Sequence, residues 1–139
     1  MAKTFKKILV PLDGSANSMR GLDCAIKMAG EAEITGFYVF HLPAAAGIKY
    51  TAKMKEEAQK KAAKAIGPAM RKAEKAGAAF KYKTGGGHTG DEIIKAAEKG
   101  KYDLIIIGAR GLSGAKSAFL GSVSNHVMHR SKVPVMVVK

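Results

Sequence analysis

The amino-acid sequence predicts an α/β fold, a three-layer α/β/α, doubly wound domain built on an open sheet of five parallel strands. Short aliphatic runs alternate with amphipathic stretches along the whole chain, which is typical of parallel strands joined by right-handed helical crossovers. The length of 139 residues suits one domain, and 47% hydrophobic with 25% charged residues is a globular composition. We therefore expect a single domain over residues 1–139 with four or five helices.

The chain opens with a strand, a helix and a second strand. Residues 6–12 form an aliphatic run that predicts the first strand, and Ser15 follows it as a helix cap. The apolar residues of this helix recur three and four positions apart until Gly30, which can close it. Residues 34–42 are rich in β-branched and aromatic side chains, which predicts the second strand.

The middle of the chain contains the longest predicted helix. This helix covers residues 51–76, and we expect Gly67-Pro68 to kink or divide it because proline lacks the backbone N–H. A short third strand over 78–84 follows. The three glycines at 85–87 are not expected to be ordered strand throughout, because glycine is the most flexible residue. The third helix is predicted over 91–99.

The last part of the chain contains the most apolar strand and the longest glycine-rich loop. Residues 103–107 predict a strand that helices cover on both faces. A loop over 108–121 leads to a helix over 122–131 and to a last strand over 133–138. The expected strand order in the sheet is 3-2-1-4-5.

The charge of the chain favours an anionic partner. The sequence has 24 Lys and Arg against 11 Asp and Glu, a net charge of +13. Nine of the basic residues fall within 49–75, and we interpret this segment as a solvated helix face. Nucleic-acid binding through the same face remains an alternative, although Tyr50 is the only aromatic residue there for base stacking.

The sequence argues against a membrane protein and a secreted one. Its apolar runs are far shorter than the ~20 residues that cross a bilayer, so we expect no membrane association. The apolar stretch near the N-terminus is too short for a signal peptide, and we expect a cytoplasmic protein.

The best candidate for a binding site is the loop between the fourth strand and the last helix. Gly108 and Gly111 follow a buried strand, and Gly121-Ser122 precedes a helix, so backbone amides are available at both ends of one loop. This pattern indicates a phosphate site, while simple turn chemistry remains the alternative. The loop lacks the Gly-Lys-Ser/Thr ending of the common phosphate loop, and no GxGxxG follows the first strand.

Four segments together resemble the universal stress protein family. They are KKILVPLDGS at the start, the strand end His41-Leu42, the spacing from Gly87 to Glu92-Ile93-Ile94, and the glycine loop with spacing Gly108-x2-Gly111-x9-Gly121-Ser122. The resemblance covers essentially the whole chain. It implies the ATP-binding type of the family, because the glycine motif is complete.

The resemblance also implies a role for particular residues. Asp13 would contact the ribose or lie near the adenine, with Pro11 and Leu42 around the base. The nucleotide-binding residues expected around the glycine loop are Ile107, Gly108, Arg110, Gly111, Gly121, Ser122, Val123 and Ser124. Mg2+, or Mn2+ in its place, would be held mainly by the phosphates.

Two functional classes stay open for such a site. We favour an ATP-binding regulatory module in the stress response, because no residue set for positioning attacking water stands out. The alternative is a slow ATPase, or an enzyme that phosphorylates itself at Ser122 or Ser124.

Two further expectations concern the surface. The apolar strand Val133 to Val138 would lie at the edge of the sheet, and we predict a homodimer in which two such strands pair, as the resemblance also suggests. His88, His126 and His129 have no evident partner in the sequence and are interpreted as surface residues. The downstream protein partner is not defined by the sequence.

Overall fold

The computed structural model describes residues 5–41, 49–110 and 120–139, and strands alternate with helices throughout them, as predicted. The strands are β1 Lys7–Pro11, β2 Glu33–Phe40, β3 Phe80–Gly86, β4 Leu104–Gly108 and β5 Val135–Val138. The helices are α1 Ala16–Ala29, α2 Ala52–Lys75, α3 Thr89–Lys99 and α4 Ser122–Arg130.

The five strands form one parallel sheet with the order β3-β2-β1-β4-β5, which confirms the predicted topology. The chain moves outward from β1 to β3 on one side of the sheet, then crosses back to β4 and β5 on the other. This reversal places the switch point between β1 and β4, where α/β proteins of this type bind their ligands beyond the carboxyl ends of the strands.

The sheet separates two hydrophobic cores, which gives the predicted three layers. Ile8 and Ile106 pack on the face covered by α1 and α2, and both are fully buried. Leu9 and Ile105 are also fully buried, on the face covered by α3 and α4. Alternate residues of one strand thus reach opposite cores, which explains why β1 and β4 are continuous aliphatic runs.

One prediction about α2 was wrong in part. The helix continues from Ala52 to Lys75 and Pro68 does not divide it. Ala65, Ile66 and Ala69 are buried on either side of the proline. Packing of this apolar stripe against the sheet offsets the loss of one backbone hydrogen bond. No helix within the described ranges is long and apolar enough to cross a membrane.

The third strand ends two residues later than predicted, because Gly85 and Gly86 belong to β3. They pair with Val39 and Phe40 of β2. A Cβ at Gly85 would lie 2.9 Å from the ring of Phe37, so glycine leaves room for this ring to pack against β3. Only the third glycine of the run, at position 87, lies outside β3 and has a positive φ of 135°.

Candidate functional site

The turn after β1 brings a carboxylate to the carboxyl edge of the sheet. Asp13 Oδ1 accepts a hydrogen bond from the backbone N–H of Ser15 at 2.9 Å, which forms an Asx turn. Gly14 between them has φ +87°, a conformation that favours glycine. Ser15 then caps α1, because its Oγ accepts from the backbone N–H of Ser18 at 3.1 Å. These bonds hold the Asp13 carboxylate beside the start of α1.

Aromatic residues lie beside this turn at the end of β2. Burial, and then the nearby charge of Asp13, raise the pKa of the Tyr38 phenol. Tyr38 and Phe40 pack edge to face, with ring centroids 5.3 Å apart. A cavity of about 160 Å3, which we call the β2 cavity, opens here, and Tyr38, Phe40, His41 and Tyr50 are among its lining residues. Its aromatic side chains suit a planar ring, while Glu57 and Lys61 add charged groups to the lining.

The end of β4 packs tightly against the start of α1. A Cβ at Gly108 would lie 2.6 Å from the carbonyl oxygen of Asn17 and 3.1 Å from the backbone nitrogen of Ser18. These neighbours are backbone atoms, so the glycine cannot be enlarged without moving the helix or the strand. Gly108 therefore has a packing role in the structure, which its position in a glycine motif did not indicate.

The N-terminus of α4 differs from those of the other three described helices. Side chains of Ser15, Thr51 and His88 accept hydrogen bonds from the first turns of α1, α2 and α3. At α4 the cap residue is Gly121, and no side chain among the described residues caps the helix. The first N–H groups of an α-helix have no partner within the helix, and they attract anions. Within the described part of the chain, the backbone amides at Ser122 to Ser124 thus have no side-chain cap at the carboxyl edge.

The end of β4 and the start of α4 are joined through the carbonyl group of Ala109. The backbone N–H of Gly121 donates to the oxygen of Ala109 at 2.6 Å. The Ser124 hydroxyl, whose residue is only 2% exposed, lies 2.7 Å from the same oxygen. Ala109 in turn donates its N–H to Val138 of β5. This network positions the first turn of α4 against the end of β4.

A second cavity at this edge is strongly basic. It has a volume of about 220 Å3 between α1 and the ends of β4 and β5, and its lining includes Arg20, Arg110 and Lys139. Three cationic side chains raise the local positive potential and attract anions. Sequence reasoning selected Arg110 but missed the other two. The only sequence signal for Arg20 and Lys139 was their positive charge, which does not single them out among the 24 Lys and Arg residues of the chain.

The remaining predicted site residues fall in different environments. Pro11 is buried at the last position of β1, and Ile107 packs in the core beneath α3 and α4. Ser122 is exposed at the first position of α4, and Val123 is half-buried. Leu42 and Gly111 lie outside the described residues.

The fold and this edge define a doubly wound α/β protein in which helix α4 begins at the switch point of the sheet. Comparison with known proteins identifies the family, since residues 4–139 match the Universal stress protein family. The Universal stress protein YxiE of Bacillus subtilis (strain 168) is 33% identical over 147 residues, with 97% of this chain and 99% of YxiE covered. The chain belongs to the universal stress protein family.

Solved structures agree with this assignment. The universal stress protein UspA from Lactobacillus plantarum superimposes with a TM-score of 0.88 over 99% of this chain and 100% of that one, at 23% identity. A universal stress protein in complex with cAMP superimposes with a TM-score of 0.76, at 28% identity, over 99% of both chains. The first similarity shows the fold, and the second protein is a relative whose structure holds an adenine nucleotide.

Proposed function

We propose that this protein binds ATP at the carboxyl edge of the sheet and acts as a nucleotide-dependent regulatory module in the cytoplasm. The observation that carries the proposal is the uncapped N-terminus of α4 at the switch point of the sheet. Helices α1, α2 and α3 each use a side chain for the cap, whereas Gly121 leaves the amides of α4 for an external acceptor. Phosphate oxygens are strong acceptors and carry the negative charge that a helix N-terminus favours.

The nucleotide would lie across the edge from β2 to α4. The phosphates would accept from the amides at Ser122, Val123 and Ser124, with Arg110 adding positive charge nearby. The ribose hydroxyls would meet Asp13, whose carboxylate accepts hydrogen bonds from a sugar but repels phosphate. The base would lie on the side of the β2 cavity, with Pro11 and Leu42 close to it.

The surroundings of α4 also bear on the metal that accompanies ATP. The described residues that line the basic cavity include no acidic side chain, so no Asp or Glu ligand for Mg2+ is provided there. Mg2+ or Mn2+ fits this site when the nucleotide phosphates supply most of its ligands, as is usual for Mg2+. When bound, the metal would neutralise part of the phosphate charge. The chain's own amides and Arg110 would orient the phosphates.

Nucleotide binding at this site would affect several structural elements at once. The hydrogen bonds of Ala109 join the glycine loop, the first turn of α4 and the end of β5. An anion at the α4 terminus would stabilise this arrangement, because it would bind the hydrogen-bonded state better than one in which these bonds are broken. A partner that contacts the loop or β5 would therefore distinguish the ATP-bound from the empty protein.

We also propose that the protein forms a homodimer through β5. Pro134 and Val138 accept hydrogen bonds from the β4 side, so the backbone groups of the alternate residues Val135 and Val137 point to the open edge. The opposite edge strand β3 carries Lys81 and Lys83, and such charges discourage strand pairing. Strand β5 has no charge, and a second copy related by a twofold axis would cover it.

The proposed ligand can be identified directly. The protein is purified without added nucleotide and denatured, and released small molecules are analysed by chromatography and mass spectrometry. We expect about one ATP per chain in the native protein and none in the Gly121→Val variant. An empty native protein that gains no thermal stability from millimolar Mg-ATP would contradict the proposal, since a ligand of the folded state must raise its stability.

A further inference from the structure

Two histidines and an aspartate meet where α3 begins beside α4, away from the glycine loop. His126 Nε2 lies 2.7 Å from Asp91 Oδ1, and His88 Nδ1 lies 3.2 Å from Asp91 Oδ2. The two imidazole rings are 5.1 Å apart between centroids. His88 is exposed, as predicted, and His126 is half-buried, but both contact Asp91, so the expectation that they lack a partner was wrong. We call these three residues the His-Asp-His cluster.

The spacing of the cluster suits a transition-metal ion. One ligand atom from each residue can be chosen so that all three lie within 4.8 Å of one another. Ligand atoms around tetrahedral zinc are about 3.3 Å apart when each lies ~2.0 to 2.2 Å from the metal. The contacts of 2.7 and 3.2 Å are both somewhat shorter than that spacing, so small outward rotations of the side chains would bring the three atoms around one ion.

His88 also caps the first turn of α3. Its Nδ1 accepts a hydrogen bond from the backbone N–H of Asp91 at 3.3 Å and lies 3.2 Å from the Asp91 carboxylate. An imidazole nitrogen has a single lone pair, so an ion bound to Nδ1 would take the place of the capping hydrogen bond.

A glycine makes room for the cluster. A Cβ at Gly90 would lie 2.4 Å from Cδ2 of His126 and 3.0 Å from its Cγ. The His126 ring therefore rests directly on the first turn of α3. Its side chain is only 23% exposed, whereas the Asp91 side chain is 64% exposed. The ring is thus fixed by packing, and solvent or an ion reaches the cluster from the Asp91 side.

The His-Asp-His cluster combines one carboxylate with a nearby positive charge. The positive charge of Arg130 acts on the Asp91 carboxylate and opposes the binding of a cation. Asp91 supplies the negative charge, and the two imidazoles supply neutral nitrogen ligands that zinc and similar ions prefer over Mg2+.

We propose that His88, Asp91 and His126 form a binding site for a divalent transition-metal ion of the zinc class. Two imidazoles and one carboxylate complete three positions of a tetrahedral site and leave the fourth to water. The ion would join α3 to α4, whose first turn is the phosphate-binding terminus proposed above. The site itself does not depend on nucleotide binding.

The test uses the full chain without an affinity tag, stripped of metal by a chelator and free of nucleotide. Zn2+ is titrated in competition with a chromophoric chelator, and Co2+ serves as a second probe through its visible absorption. We expect one Zn2+ per chain and a tetrahedral Co2+ spectrum. His126→Gln and Asp91→Asn should each weaken binding by at least about 100-fold, because the loss of even an outer-shell partner costs ~10 to 100-fold.

Two control variants make the result specific. His129 is exposed on the same helix and its Nδ1 contacts the carbonyl of Asn125, so His129→Gln should leave Zn2+ affinity unchanged. Arg130→Gln should tighten binding, because it removes an opposing charge. Circular dichroism in chelator verifies that each variant is folded, and His88→Asn, which retains a helix-capping side chain, provides a further ligand variant. Equal Zn2+ affinity for His126→Gln and His129→Gln, or no binding by the native chain, would overturn the proposal.

Discussion

A carboxylate placed at the cap of α4 should stabilise the protein and at the same time abolish its binding of ATP. Gly121 has φ −68° and ψ 165°, an extended conformation that aspartate adopts without strain. In Gly121→Asp, the new side chain would accept hydrogen bonds from the amides that we assign to the phosphates. The variant therefore places an internal competitor in the proposed site.

The two effects have opposite signs and can be estimated. Asp in place of Gly at a helix cap contributes a few tenths of a kcal/mol, and its charge at the helix terminus adds ~0.3 to 1 kcal/mol. We expect the midpoint of thermal unfolding to rise by about 1 to 4 °C. Each lost amide bond to phosphate costs ~1.5 to 3 kcal/mol, so Mg-ATP affinity should fall at least about tenfold for one bond and ~100-fold for two.

Thermal unfolding without nucleotide and calorimetric titration with Mg-ATP measure the two effects separately. Asn125→Asp is the matched control, because it makes the same charge change at an exposed position further along α4. This control should reduce ATP affinity only slightly. Wild-type affinity in Gly121→Asp would refute the assignment of the phosphates to the α4 amides, whatever its stability.

Three further predictions follow from the contacts at the edges of the sheet. Gly108→Ala should lower the free energy of unfolding by about 1 to 3 kcal/mol in urea titrations, because its Cβ meets backbone at 2.6 Å; wild-type stability would contradict this packing role. Val137→Pro removes an outward N–H of β5 and should convert a dimer to a monomer in light scattering, whereas a monomeric native protein would exclude the β5 dimer. The backbone N–H groups of Lys6 and Lys7 donate hydrogen bonds to the Asp103 carboxylate and lower its pKa. The stability that this carboxylate contributes to the fold is therefore present above the ordinary pKa of 3.8 and is lost as the pH falls through the lowered pKa of the native state. Asp103→Asn should therefore be less stable near neutrality and depend less on pH in acid; an unchanged acid dependence would argue against these bonds.

The strand order could be predicted from the sequence because each of the strands β1 to β5, and each helix between them, has a local sequence signal. Aliphatic runs, cap residues such as Ser15 and glycines at helix ends mark boundaries within a few residues, and right-handed crossovers restrict the topology. The strand ends were less exact. The prediction placed the second strand at 34–42, whereas β2 spans Glu33–Phe40. Tertiary pairing, which local composition does not encode, determines where a strand stops.

The contacts that the sequence did not reveal join distant residues. His126 meets Asp91 across 35 positions only because α3 packs against α4. The role of Gly108 depends on the backbone of Asn17, which approaches it through the packing of α1 on β4. The uncapped state of α4 was visible only in part, because a glycine before a helix predicts a terminus but not whether another side chain fills it.

The most direct test of the proposed function is a map of backbone amides in the presence of Mg-ATP. Heteronuclear NMR spectra of the labelled protein would be recorded during titration with Mg-ATP, with assignments for α4 and the turn after β1. The proposal predicts the largest shift changes at the amides of Ser122, Val123 and Ser124, with a second set around Asp13. Changes confined to the lysine-rich helix α2, or no changes at millimolar Mg-ATP, would contradict it.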